Sequence, residues 1–346
     1  MINVNINAFS NLIDDYLKYN DGSVKSGKRY IKSRDFEKDW IKEAQIRDIL
    51  IITSDIRLIE IEFCSEFYIA IVGANITDNQ IPEILETFDI NSGITTLLVS
   101  EKYLKLSKRA NQLEFYDNIL FQHLDPSYNG HDFEDILQFL EPVQIFKLSK
   151  FSILKTNSVD RIACYIFSKS TNELILEFNQ DVLDLISELS LMGSDSINYR
   201  LIINCIFSTT YKHSFLELYR LIERIFPVSY LKELHLKSRT TLDFLDFVSE
   251  FETSLKWKPK EDMAIDRIFE ESKVTTLQYF QNFKTSLPDD QNHNHATFFY
   301  KLRNSIVHFR ANHEEIFLTS EQWNLLLLAT LYLIDEHYSL YNNILQ

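Results

Sequence analysis

The spacing of apolar residues changes partway along this chain, and that change limits the possible folds more than any single motif does. Between about residues 48 and 178 the apolar residues come in short runs: "DILIITSD", "RLIEIEFCS", "EFYIAIVG", "TTLLVS", "LEFYDNIL", "VQIFKLSKFSILK", "RIACYIFSK" and "ELILEFN". These runs are rich in Ile, Phe and Tyr and are separated by turn-like breaks, which reads as a series of strands. "RLIEIEF" alternates apolar and polar residues, as a half-buried strand does. "SKSTNELIL" reads as a hairpin connection, and helical pieces fit residues 8–18 and 132–140. After "VLDLISELSLMGSDS" the period lengthens. "HSFLELYRLIERIF" sets Phe215, Leu218, Leu221, Ile222 and Ile225 at helical spacing. Pro227 and Pro259 punctuate, and "PVSYLKELHL", "TTLDFLDFVSEFETSL", "MAIDRIFEESK" and "TLQYFQNFKTSL" read as further helices. The polar connector "DDQNHNH" precedes two long helices over about 295–312 and 319–344, the second capped by Thr319 or Ser320. The expectation is an α+β chain of two domains, β-rich over residues 1–190 and an all-α bundle over 191–346.

Composition agrees with long regular elements, because 346 residues contain only six Gly and six Pro. The length suits two cores. Cys64, Cys164 and Cys205 stand alone, with no C-x-x-C spacing, so neither a disulfide framework nor a structural zinc site is expected, and a reducing cytoplasmic setting fits. The opening "MINVNINAFSNLIDDYLKYN" has no basic stretch leading into an apolar one, and the longest apolar run, "WNLLLLATLYLI", is too short to span a bilayer. No signal peptide and no membrane segment are expected. The net charge of −15 argues against a broad nucleic-acid-binding face. The excess is uneven, however: residues 211–260 carry nine Lys and Arg against seven Asp and Glu. Any nucleic-acid site in such a chain has to be small.

One candidate for such a site lies in "FFYKLRNSIVHFRANHEE". Arg303, Asn304 and His308 form an Arg-Asn-x-x-x-His pattern, and no other Arg in the chain has a His five residues on. On a continuous helix Asn304 and His308 share a face, so the amide can orient the imidazole. Arg303 lies about 140° round from His308 and reaches the same place only through its length. Leu302, Ile306 and Phe309 form the opposite, buried stripe. The plainer alternative is a polar helix edge, with Arg303 and His308 paired to Glu314 or Glu315.

The stretch "LRNSIVH", followed by a long apolar helix, resembles the HEPN superfamily, whose nuclease members carry an Arg-x4–6-His motif. "SFLELYRLIERIF" is similar to the early helix of Apea-like HEPN proteins, which carries an acidic residue facing that motif. The resemblance covers about residues 195–346. It implies a HEPN helical bundle and metal-independent cleavage of RNA in bacterial anti-phage defence or as a toxin. It also implies a homodimer in which two motifs meet in one composite site, with no cofactor and no metal. His308 is then the general acid or base, Arg303 the phosphate ligand, and Asn304 the residue that positions His308 or a phosphate oxygen. Glu223 is then the acidic partner that holds Arg303 or tunes His308, unless it pairs with Arg220 or Arg224 on its own helix. Some HEPN toxins carry a Tyr two residues after the His; here that position is Arg310, which with Lys301 is a candidate RNA contact or a solvated edge charge. The β-rich domain would sense a trigger or select the RNA. A catalytically inactive HEPN module that binds a nucleotide or a partner is the alternative. The letters "HNH" at 293–295 lack a third ligand for a metal, and "SGKR" at 26–29 lacks the spacing of a phosphate loop.

Overall fold

The alternating strands in the first part of the chain form an antiparallel sheet. The computed structural model describes residues 2–76, 84–150, 152–156, 158–288, 294–308 and 316–345. Strands β1 (Gln45–Ile51), β2 (Arg57–Phe63), β3 (Glu66–Val72), β4 (Leu85–Phe88) and β5 (Val143–Leu148) make one sheet in the order β1-β2-β3-β5-β4, every pair antiparallel. Phe63 pairs with Glu66, so β2 and β3 join through the two residues Cys64 and Ser65, which have φ of 52° and 61°. That is the left-handed pair a tight hairpin requires, here without the usual Asn-Gly.

Helices α1 (Ile2–Leu17), α2 (Asp35–Glu43), α3 (Ser92–Ser100), α4 (Gln112–Phe115) and α5 (Phe133–Leu137) complete this part of the chain. Ile59, Ile61, Tyr68, Ala70 and Val72 share a core with Phe9 and Leu12 of α1 and Ile94, Leu98 and Val99 of α3. Two expected strands are helical. "TTLLVS" lies in α3, which Asn91 caps by accepting from the backbone N–H groups of Gly93 and Ile94. Eight of the nine residues of α3 are buried, so no polar face remains to betray a helical period. "LEFYDNIL" forms α4 and the irregular helical turn that follows it.

The rest of the chain has no strand among the described residues and is built of helices: α6 (Val159–Lys169), α7 (Gln180–Met192), α8 (Tyr199–Ile206), α9 (Tyr211–Ser238), α10 (Phe244–Ser254), α11 (Glu261–Glu271), α12 (Val274–Thr285), α13 (His295–Val307), α14 (Ser320–Leu340) and α15 (Asn342–Leu345). The chain therefore has an α+β layout of two compact units, Met1–Val159 and Asp160–Gln346.

The division falls some thirty residues before the expected boundary at 190, because "RIACYIFSK" is helix α6 and belongs with the bundle. Arg161 of α6 donates to the carbonyls of Ser190 and Gly193 at 2.8 and 2.9 Å, tying α6 to the end of α7. "ELILEFN" is not a strand either. Its end is held by Asn324 of α14, which accepts from the Asn179 N–H at 2.7 Å and donates to the Glu177 carbonyl at 3.0 Å. Pro227 does not end its helix: α9 runs through it for 28 residues. Phe215, Leu218, Leu221, Ile222 and Ile225 are all buried, as their spacing requires. Thr319 caps α14 in a capping box with Gln322.

Candidate functional site

Three helices of the second unit converge on Arg303. Leu302 is fully buried and anchors the last part of α13, while the next residue turns its guanidinium toward α9 and α11. Each guanidinium nitrogen faces an oxygen. Nη1 donates to Asn304 Oδ1 at 3.0 Å, Nη2 donates to Glu223 Oε1 at 3.2 Å, and Nε is ion-paired to Glu261 Oε1 at 3.0 Å. The guanidinium carbon also lies 5.5 Å from the centroid of the Tyr219 ring, within cation–π range. Tyr219 Oη donates to the same Glu261 oxygen at 2.6 Å.

The helix period explains the convergence. Tyr219 and Glu223 are four apart on α9, so both present to one side of it. Phe299 and Arg303 are four apart on α13. The Phe299 ring stacks on Tyr219 with centroids 5.3 Å apart, and both rings are buried. Arg303 is only 18% exposed at its side chain, Glu261 26% and Glu223 38%. Burial, then the hydrogen bond to Glu261 and its charge, push the Tyr219 hydroxyl far above its ordinary pKa. Tyr219 therefore stays a proton donor to Glu261 at any ordinary pH. Two carboxylates meet one guanidinium here, so negative charge is in excess by one.

Of the residues singled out in the sequence, the structure brings together Glu223, Arg303 and Asn304. Glu223 does not pair along its own helix: Arg220 bonds to Glu217 and Arg224 donates to the Ser196 carbonyl. Asn304 and His308 are not arranged as expected. Helix α13 ends at Val307, in a turn of Ser305, Ile306 and Val307 that favours helix weakly. His308 is its C-cap, in extended backbone (φ −108°, ψ 102°), with its N–H donating to the Asn304 carbonyl at 2.9 Å. The Asn304 amide oxygen is taken by Arg303, and the His308 ring is exposed. Among the described residues no hydrogen bond or ion pair joins that ring to the Arg303 cluster. Lys301 is exposed, and Ile306 of the expected apolar stripe is half-buried. Phe309, Arg310, Glu314, Glu315 and His293 lie outside the described residues. His295 opens α13 and packs near the rings of Phe269 and Phe280.

Glu261 and Tyr219 were not evident from sequence. Tyr219 carried a faint signal, its spacing of four from Glu223. Glu261 carried none, since nothing local links the first residue of α11 to an arginine 42 residues on. No group of three His, Cys, Asp or Glu side chains among the described residues is placed to hold a metal ion. No described helix is long and apolar enough to cross a membrane. No family model, curated protein or solved structure matches the chain significantly.

Proposed function

We propose that this protein is a metal-independent endoribonuclease of HEPN type, with its chemistry in the helical unit, acting in anti-phage defence or as a toxin. The observation that carries the reading is the pairing of Arg303 with Glu223, from helices 80 residues apart in sequence, one turn before an exposed histidine. RNA supplies its own nucleophile, the 2′-hydroxyl. His308 at the open end of α13 takes the hydroxyl proton, and an acid returns a proton to the leaving 5′-oxygen. Arg303 binds the phosphate and stabilises the charge that grows on it. A guanidinium has five N–H groups; if each nitrogen spends one on its present partner, one remains on each terminal nitrogen for phosphate oxygens. The products are a 2′,3′-cyclic phosphate and a 5′-hydroxyl.

Since a single copy joins His308 to no other site group among the described residues, a second copy completing the site suits the reading. A homodimer is expected, and an active strict monomer would contradict it. The β-sheet unit then selects the RNA or senses the trigger. A second reading has its own observation. Arg303 is already overcompensated by Glu223 and Glu261, which suits an inactive HEPN module that binds a nucleotide or a partner elsewhere. The test is purified protein with total RNA in EDTA. Cleavage that disappears in His308→Ala and Arg303→Ala supports the enzyme. Intact RNA under every condition supports the inactive module.

A further inference from the structure

We infer that Glu261 and Tyr219 are positioning residues for Arg303, fixing the guanidinium before any anion arrives. The inference rests on the reading that Arg303 meets a phosphate. Its own basis is geometric. Arginine has four rotatable side-chain bonds, and an unrestrained guanidinium must be ordered when it binds, at the expense of affinity and rate. Here the order is built in. Glu261 faces the Nε edge, Glu223 and Asn304 take the two terminal nitrogens, and the Tyr219 ring covers one face. Four contacts from three helices fix both the plane and the rotation of the group.

Glu261 is itself fixed. It is the first residue of α11, and the Oε1 that faces Arg303 also accepts a hydrogen bond from the Tyr219 hydroxyl at 2.6 Å. Tyr219 in turn stacks on Phe299, one turn before Arg303 on α13. The chain of contacts closes on itself: Arg303 to Glu261, Glu261 to Tyr219, Tyr219 to Phe299, and Phe299 through one helical turn back to Arg303. A side chain held in this way presents its remaining N–H groups in one direction. Displacement of a catalytic group by about 1 Å costs about a hundredfold in rate, which sets the size of effect expected from loosening it.

Glu223 does not make Glu261 redundant. Glu223 is the more exposed of the two carboxylates and has no hydrogen bond to Tyr219, so its removal leaves the Nε edge and the ring contact in place. Removing the charge at Glu261 weakens the hold on the Nε edge and leaves the Tyr219 hydroxyl only a weaker oxygen to donate to.

The experiment uses the full chain with Glu261→Gln, Tyr219→Phe and Arg303→Lys. The first readout is the ¹⁵N-edited NMR signal of the Arg303 Nε–H, identified by its loss in Arg303→Lys. The signal should be displaced from the free-arginine position and slow to exchange with water in the wild type. Glu261→Gln should return it toward the free position with exchange at least tenfold faster, and Tyr219→Phe should shift it less. The second readout is cleavage of a short RNA. Glu261→Gln should lower kcat about tenfold to a hundredfold with KM changed little, while Tyr219→Phe should lower it a few-fold. A purely structural ion pair would change stability and leave kcat of the folded fraction alone, which overturns the inference. An unmoved Nε–H signal in Glu261→Gln also overturns it. So does faster cleavage in Glu261→Gln, since Glu261 would then be a competitor of phosphate. If wild type leaves the RNA intact, the cleavage reading fails, and the inference survives only as a statement that Glu261 holds Arg303, which the Nε–H signal decides separately.

Discussion

Acid should weaken the sheet-containing unit through one buried histidine. His131 is 1% exposed, and neither ring nitrogen has a hydrogen-bond partner among the described residues. Its ring lies 5.3 Å from that of Phe9 and 5.0 Å from that of Tyr128, while its backbone is fixed by bonds to Tyr30 and Lys32. Burial, assisted by the nearby positive charges of Arg29, His123 and Lys32 and opposed by Asp132, lowers its pKa to about 4. The unfolded chain titrates near 6.5, so between those values the unfolded state binds the extra proton and stability rises with pH. The contribution is complete above pH 6.5 and is lost as pH falls toward 4. The gap of about 2.5 units corresponds to about 3 kcal/mol in full, of which about 2 kcal/mol is lost by pH 5.

The perturbation is His131→Phe, which keeps a ring between Phe9 and Tyr128 and removes the titration. Hydrogen exchange of the Ile59 and Ile61 amides in β2, corrected for intrinsic rates, reports the stability of this unit at pH 7 and pH 5. The wild type should lose about 2 kcal/mol more than His131→Phe over that interval. Parallel loss in the two proteins would refute the reasoning. So would a rise in wild-type stability on acidification relative to the variant.

Two further outcomes follow from the geometry. Replacing Cys64 by Asn and Ser65 by Gly gives the hairpin residues suited to positive φ, and should stabilise the chain by about 1 kcal/mol per position; a lower urea midpoint would count against the hairpin. Arg303→Met leaves Glu223 and Glu261 without their cation and should cost about 2 kcal/mol after allowance for the partial exposure of Glu223, with much of it regained in the triple variant that adds Glu223→Gln and Glu261→Gln; strictly additive losses in urea would show that the three do not act together.

How much of this was legible in the sequence depended on whether an element keeps a polar face. β2 alternates, and α9 keeps a 3.6-residue stripe, so both could be read. Eight of nine residues of α3 are buried, and α6 is lined with buried Ile162, Ala163, Ile166 and Phe167, so both lack the contrast that separates helix from strand. Reading α6 and residues 174–178 as strands places the boundary at 190, some thirty residues after the division at Val159. Pro227 suggested a break, but packing of α9 on either side outweighed the lost bond to the Glu223 carbonyl. At the site, Arg303 and Glu223 were recognisable as a pair only through a family resemblance. Glu261 and Tyr219 were hidden because tertiary packing alone brings α11 to α13. The end of α13 at Val307 was hidden too, since no Gly or Pro marks it.

On the proposed function, Arg303 and His308 cut RNA without a metal. The most direct test is the mapping of RNA ends after incubation of the wild type, His308→Ala and Arg303→Ala with total RNA in EDTA, each variant first shown to be folded. The wild type should produce new 2′,3′-cyclic phosphate and 5′-hydroxyl ends, with the rate lower by about a hundredfold or more in His308→Ala. Ends of the same kind appearing at the same rate with a folded His308→Ala would contradict it.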